Sequence, residues 1–192
     1  MLKYKYQFSC RINMQEYDSL EILDISERTI RTLTDVIIPS HVKVLKCQKC
    51  KLKDLVGLPQ QIQHVDCSFN LIKKMKGISN HSKLEVLTCD YNQIKRFNKG
   101  DLPQNVRVLS CVGNSLETLE GLPAKIRDLD VSDNNLKSFK GIPDVYKCTC
   151  TLNYIDSLLY LQGGICELWC SFNPINTKDH LPKSLKKIYH LK

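Results

Sequence analysis

The sequence predicts a mostly-β solenoid in which each turn contributes one short strand, so that about eight to nine parallel strands share one sheet. Apolar residues recur at positions 1, 4, 6, 11 and 14 of a unit that repeats every 19 to 22 residues. Most units carry asparagine at position 9, where a side-chain amide can bond the backbone of a curved loop. Proline stands near the opening of most units, which favours extended chain over helix.

The clearest copy of the unit runs from Val106 to Leu119 and has Asn114 at position 9. The copies open at Leu20, Val42, Ile62, Leu84, Val106, Ile126, Val145, Ile165 and Leu185. The first two are weaker, because Arg28 and Cys50 stand at the asparagine position, and the last is truncated. Self-similarity with this period is the sequence signature of a solenoid built by stacking one supersecondary unit.

The pattern L-x-x-L-x-L-x-x-N/C-x-L resembles the leucine-rich repeat family over residues 20–190, as in the copy from Ile62 to Ile72. Openings such as Leu122-Pro123 resemble the short repeats of bacterial secreted effectors and of proteins encoded by some large DNA viruses. Endings such as Met75-Lys-Gly77 resemble the repeats of a nuclear phosphatase regulator. The resemblance implies a curved horseshoe with the strands on the concave face and extended or 3₁₀ segments on the convex face.

Three regions are expected along the chain. Residues 2–12 alternate apolar and polar side chains, which predicts a capping strand or hairpin over 1–19, although exposed Tyr and Lys there could instead form a docking surface. Residues 20–180 carry the repeats. Residues 181–192 are expected to form a truncated last repeat and a C-terminal cap, because His190 replaces an inward apolar residue.

The ten cysteines follow the repeat. Position 6 is occupied by Cys47, Cys67, Cys89, Cys111, Cys150 and Cys170. We expect reduced thiols in the core, with disulfides between stacked turns as the alternative, since neighbouring strands lie only ~4.8 Å apart. Cys47 and Cys50 have zinc-like spacing, but both fall on core positions and no second pair completes a site. The sequence therefore predicts no metal and no cofactor.

Composition limits the classes of function that remain open. Lys and Arg number 28 against 20 Asp and Glu, and the net charge of +8 permits an anionic partner without requiring one. No segment is apolar enough for a membrane span, and the amino terminus lacks the apolar core of a secretory signal. These features predict a cytoplasmic location, with the cytoplasm of a host cell as one option, and leave the nucleus open. No catalytic motif appears, so we expect a protein that is not an enzyme.

The candidate binding site lies on the concave surface, to which positions 2, 3, 5, 7 and 8 should point. At position 3 the first five residues are apolar or nearly so, and the later ones are charged. The predicted contact residues are Val44, Lys46, His64, Phe69, Val86, Tyr91, Arg107, Val108 and Trp169. Two alternatives stay open: the aromatic residues at position 8 could pack against the neighbouring turn, and Trp169 could cover the C-terminal end of the sheet.

A second candidate surface is a lateral basic stripe just past the asparagine loop. It comprises Lys53, Lys73, Lys74, Lys95 and Arg96. Such a run usually forms a solvated face. RNA-binding surfaces typically interleave basic residues with stacking aromatics, and this stripe has none, which argues against nucleic acid as the partner.

These observations predict a non-enzymatic recognition module that binds a partner protein on its concave surface. The resemblance suggests a pathogen- or virus-encoded factor that engages a host protein. The alternatives are an electrostatic binder of nucleic acid or anionic membrane through the basic stripe, and a structural subunit of a larger assembly. The identity of the partner and the oligomeric state are left open.

Overall fold

The computed structural model describes residues 21–161, 163–175 and 181–189. Within these ranges the chain forms one sheet of nine parallel strands that follow one another in chain order. The strands are β1 (Ile22–Asp24), β2 (Val44–Lys46), β3 (His64–Asp66), β4 (Val86–Thr88), β5 (Val108–Ser110), β6 (Asp128–Asp130), β7 (Lys147–Thr149), β8 (Glu167–Trp169) and β9 (Lys187–Tyr189). Each turn returns the chain beside the previous strand, which confirms the predicted mostly-β leucine-rich repeat solenoid.

The returns between strands contain almost no helix. In the described part of the chain the one helical element is a 3₁₀ turn at Leu33–Asp35, where the Thr32 side chain accepts a bond from the Thr34 backbone N–H. The other returns run as turns and extended chain. With only about 20 residues a turn and prolines at the openings, no room is left for a convex α-helix.

The strands are packed in register, so equivalent repeat positions stack on one another. Position 4 of every strand points inward and positions 3 and 5 point outward, as in β4, where Leu87 is buried between two partly exposed neighbours. Because the side-chain period of a strand is two, this register builds one continuous apolar core from β1 to β8.

The core cysteines are buried as predicted. All six position-6 cysteines lie in the core. Their thiols donate along the stack: the Cys47 Sγ lies 3.4 Å from the Asp66 carbonyl oxygen, and the Cys89 Sγ lies 3.2 Å from that of Ser110. Burial raises the pKa of the Cys67 and Cys89 thiols, which keeps them in the neutral form.

The zinc alternative at Cys47 and Cys50 finds no support. The Cys50 thiol lies in the core and donates to the Ile25 carbonyl oxygen at 3.1 Å, where an asparagine serves in later turns. In residues 21–161, 163–175 and 181–189 no three His, Cys, Asp or Glu side chains are grouped so that they could hold a metal ion.

The asparagine ladder is confirmed. In the third to eighth turns the amide at position 9 bonds both its own turn and the preceding one. Asn92 donates to the Cys67 and Cys89 carbonyl oxygens, at 3.0 and 3.1 Å, and accepts from the Ile72 N–H at 2.9 Å. The same bonds recur at Asn70, Asn114, Asn134, Asn153 and Asn173. These residues hold the backbone of the loop that leads from the strand face to the side of the solenoid.

Some predictions fall outside the described residues. The capping strand expected in 1–19, the opening Leu20 and the final His190 belong to this group. The region limits 1–19, 20–180 and 181–192 therefore stay predictions. In the described part of the last repeat, Leu185 and Ile188 are partly buried against the core.

Candidate protein-binding surface

An apolar row crosses the strand face of the first five strands. The position-3 residues of neighbouring strands lie side by side in register, in the order Ile22, Val44, His64, Val86 and Val108. Ile22 and Val108 are 56% and 37% exposed, and Val44 and Val86 are partly exposed. From β6 onward the same row is charged, and Asp128 pairs with Lys147 at 3.9 Å. The structure thus places the predicted position-3 residues side by side on an outward face.

Carboxylates line this apolar row at positions 5 and 7. Asp66 accepts bonds from the backbone and hydroxyl of Ser68 and from the Gln48 amide. Asp90 accepts from the Ser110 hydroxyl at 2.7 Å and from the Val112 N–H at 2.9 Å. Burial, with smaller contributions from nearby carboxylates, raises the pKa of Asp90. The strand face therefore combines apolar side chains with fixed acceptors.

Position 8 adopts a left-handed backbone in all eight described turns, from Glu27 (φ 63°) to Phe172 (φ 55°). The cause is a backbone hydrogen bond between turns. The N–H of the position-8 residue donates to the next turn, as from Phe69 to the Asp90 carbonyl oxygen at 2.8 Å. Among the position-8 residues, Gly113 adopts this conformation at the lowest cost, and Asp133 at a lower cost than the aromatic and aliphatic residues. Each position-8 side chain is thereby turned to the rim between the strand face and the side of the solenoid.

At this rim Phe69 and Tyr91 form a stacked pair, with ring centroids 4.6 Å apart and planes 13° from parallel. The second face of Tyr91 lies over Gly113, where an added Cβ would come within 2.5 Å of the ring. The rings nevertheless stay 48% and 47% exposed. These aromatics therefore pack on neighbouring turns, as one alternative expects, and still present apolar edges to solvent, while their role as partner contacts stays a prediction.

Trp169 lies apart from this surface. It is partly buried and stacks on Tyr189, with centroids 4.8 Å apart, while the Lys147 Nζ lies 5.1 Å from its ring centre. This arrangement matches the alternative in which Trp169 covers the C-terminal part of the sheet. The structure does not bring Trp169 together with Phe69 and Tyr91, and its role as a partner anchor stays a prediction.

The residues of the predicted lateral basic stripe follow the rim along the chain, at positions 12 and 13 of their turns. Lys53, Lys73, Lys74, Lys95 and Arg96 are all exposed. Among the described residues the ion pairs of the chain join other lysines, such as Lys43 to Glu21 and Lys140 to Glu120, and none involves these five. Lys46 and Arg107, predicted as contacts, are exposed on the strand side and also lie outside these pairs.

The two surfaces meet in a way that the sequence analysis missed. Residues 69–73 alternate exposed and buried, so that Phe69, Leu71 and Lys73 point outward while Asn70 and Ile72 point inward. Residues 91–95 repeat this alternation in the next turn. The basic stripe therefore has an apolar rim in the same turns. The signal that could have revealed it was the pair of apolar residues, Phe69 and Leu71, on either side of the inward-pointing Asn70.

The described residues contain no helix with the length and apolar character needed to cross a bilayer. The sequence matches no family model, and no curated protein matches it. The fold matches solved structures at low identity. Internalin C2 from Listeria monocytogenes is 16% identical, with a TM-score of 0.74 over 93% of this chain and 84% of that one.

Two further structures extend this likeness. A Shigella effector leucine-rich repeat domain is 18% identical, with a TM-score of 0.70 over 89% of this chain and 81% of that one. YopM from Yersinia enterocolitica is 20% identical, with a TM-score of 0.63 over 88% of this chain and 41% of that one. Together with the nine-stranded sheet and the asparagine ladder, these matches show that the chain has the leucine-rich repeat fold.

Proposed function

We propose that this protein is a non-enzymatic recognition module that binds a partner protein on its concave strand face. The observation that carries the proposal is the apolar row from Ile22 to Val108, which the parallel register makes continuous across five strands. Contiguous exposed apolar side chains of this kind are typical of protein interfaces. The row ends where charged side chains begin at Asp128, which bounds the interface to the first five turns.

Rigidity supports the same proposal. Every strand is bonded to its neighbours, and the amides at position 9 fix the loops at the ends of the strands. A partner that docks on such a surface orders few side chains and no backbone, so little conformational entropy opposes binding. Asp66 and Asp90 add acceptors whose orientation is already fixed by serine and backbone donors.

We further propose that the protein acts inside a cell, as a pathogen- or virus-encoded factor that engages a host protein. The short proline-opened repeats and the fold neighbours described as effectors from Shigella and Yersinia motivate this proposal. Neither bears on the identity of the partner, which affinity capture followed by mass spectrometry would provide.

The test compares two folded double variants in binding to a captured partner. Val86→Asp/Val108→Asp places two charges in the apolar row and should weaken binding by roughly tenfold or more. Val56→Asp/Leu159→Asp makes the same chemical change at two exposed sites away from the strand face, 44% and 43% exposed, and should bind like the wild type. Equal binding by both variants would refute a site on the strand face.

A further inference from the structure

The lateral side of the third and fourth turns carries a second surface, which we call the lateral patch. It consists of Phe69, Leu71, Lys73, Tyr91, Lys95 and Arg96, all exposed. It begins at the position-8 rim that borders the apolar row of the strand face and continues from there through positions 10 to 13. The inference drawn from it goes beyond the concave site and does not depend on that site.

The basic half of the patch is not neutralised by ion pairs, although Glu117 occupies the repeat position of Lys95 in the following turn. Lys73 and Lys95 occupy the same repeat position in adjacent turns, and Arg96 follows directly. In residues 21–161, 163–175 and 181–189 none of the three takes part in an ion pair, whereas lysines elsewhere, such as Lys49 and Lys187, pair with glutamates of neighbouring turns at 2.9 and 3.0 Å. Stacked turns ~4.8 Å apart therefore hold like charges close together, which favours an anionic ligand.

The apolar half of the patch does not suit a ligand that carries only negative charge. Leu71 is 41% exposed and lies between the aromatic stack and the lysines in the alternation of residues 69–73. The Tyr91 ring has Phe69 on one face and Gly113 on the other, so neither face is open to a nucleobase. Single-strand nucleic-acid surfaces present open aromatic faces. Ring edges and a leucine side chain suit aliphatic or aromatic side chains instead.

We propose that the lateral patch binds an acidic polypeptide segment whose apolar side chains pack on Phe69, Leu71 and Tyr91 while its carboxylates lie against Lys73, Lys95 and Arg96. Charge complementarity selects this occupant. The strand face nearby presents the carboxylates of Asp66 and Asp90 as well as the exposed Lys46 and Arg107. An acidic segment therefore meets mixed charge on the strand face and adjacent cations on the lateral side.

The test uses three labelled probes in a fluorescence-polarisation assay: a synthetic peptide of Glu and Asp interspersed with Leu and Phe, a poly-glutamate peptide of equal charge, and oligo-uridylate. We expect the mixed peptide to bind most tightly and its affinity to fall with added salt. Lys73→Gln/Lys95→Gln should weaken its binding roughly tenfold, and Leu71→Ser should weaken it several-fold. Lys137→Gln/Lys183→Gln removes the same charge at exposed sites outside the patch and should leave binding unchanged.

Three outcomes would overturn the proposal: no binding of the mixed peptide, binding of oligo-uridylate that is at least as tight and insensitive to Leu71→Ser, or equal losses in the two charge variants. The second outcome would reassign the patch to nucleic acid. Val86→Asp/Val108→Asp should still bind the mixed peptide like the wild type. Retention in that variant separates the lateral patch from the concave site, so either proposal can fail alone.

Discussion

The stability of the loops can be tested at two adjacent asparagines. Asn134 is 5% exposed, whereas Asn135 is exposed and its side chain bonds no other described residue. The same substitution, Asn→Ala, therefore removes a ladder amide at one position and only a solvated amide at the next. This pair controls for the chemistry of the substitution and for its place in the chain.

The expected magnitude follows from the bonds of Asn134. Its Nδ2 donates to the carbonyl oxygens of Cys111, Val131 and Ser132 at 2.9, 3.1 and 3.0 Å. Each of these oxygens keeps another donor after the substitution: Asn114, Asn153 and the Gly113 N–H, respectively. The Leu116 N–H keeps no acceptor, because it donates to the Asn134 Oδ1 at 2.8 Å. One orphaned buried donor costs ~1–3 kcal/mol, and the lost side-chain bonds bring the expected total to ~2–3 kcal/mol.

Urea unfolding followed by circular dichroism would measure the free energy of unfolding, and amide hydrogen exchange would report the Leu116 N–H directly. Asn134→Ala should lose ~2–3 kcal/mol and the protection of that amide, while Asn135→Ala should stay within ~0.5 kcal/mol of the wild type. Equal losses for the two variants, or undiminished protection at Leu116, would refute the assigned role of the ladder.

Three further predictions concern other positions. Gly113→Ala should cost about 1 kcal/mol or more in unfolding free energy, because its φ is 64° and the new Cβ meets the Tyr91 ring; part of that loss should vanish when Tyr91 is also replaced by Ala. Asp90→Asn should raise the unfolding free energy at pH 7. Because the pKa of Asp90 is raised in the folded state, its contribution to the free energy of unfolding is complete below the pKa of the unfolded chain, 3.8. That contribution is lost as pH rises through the pKa of the folded state. Native-state alkylation with peptide mapping should label the partly exposed Cys166 before the buried Cys67 and Cys89, whose raised pKa disfavours the thiolate.

Each of these has a contrary result. An unchanged penalty for Gly113→Ala in the Tyr91→Ala background would show that the ring is not in the way. A stabilisation by Asp90→Asn that persists below pH 3.8 would have a cause other than its titration. Labelling of Cys89 as fast as Cys166 would mean that the core opens readily near β4.

The period of the sequence was sufficient to predict the fold because inward positions must be apolar in every turn. Leu87, Leu109 and Leu129 stack at position 4, and no other arrangement buries all copies at once. The asparagines were predictable for a similar reason, since a buried loop without helix needs its backbone groups satisfied from a side chain.

The rim could not be predicted in the same way. Residues such as Phe69, Tyr91 and Leu152 have no intrinsic preference for a left-handed backbone, and only tertiary bonds from their N–H groups to the next turn impose it. The repeat pattern therefore predicts Phe69 and Tyr91 on the concave face and the lysines on a separate stripe. The imposed turn brings both to one side of the solenoid.

The difference between inward and outward repeat positions determines where binding specificity can lie in the chain. Positions 1, 4, 6, 9, 11 and 14 are committed to the core and the ladder, so a change there alters stability first. Positions 3 and 12 belong to neither, and both vary without disturbing the register. Position 3 changes from Val86 to Asp128 two turns later, and position 12 changes from Lys95 to Glu117 in the next turn. Because the buried Asn92 and Ile94 lock the backbone between these two positions, substitutions on the strand face and on the lateral patch should affect binding independently. A solenoid of this kind can therefore recognise two chemically different segments in the same turns.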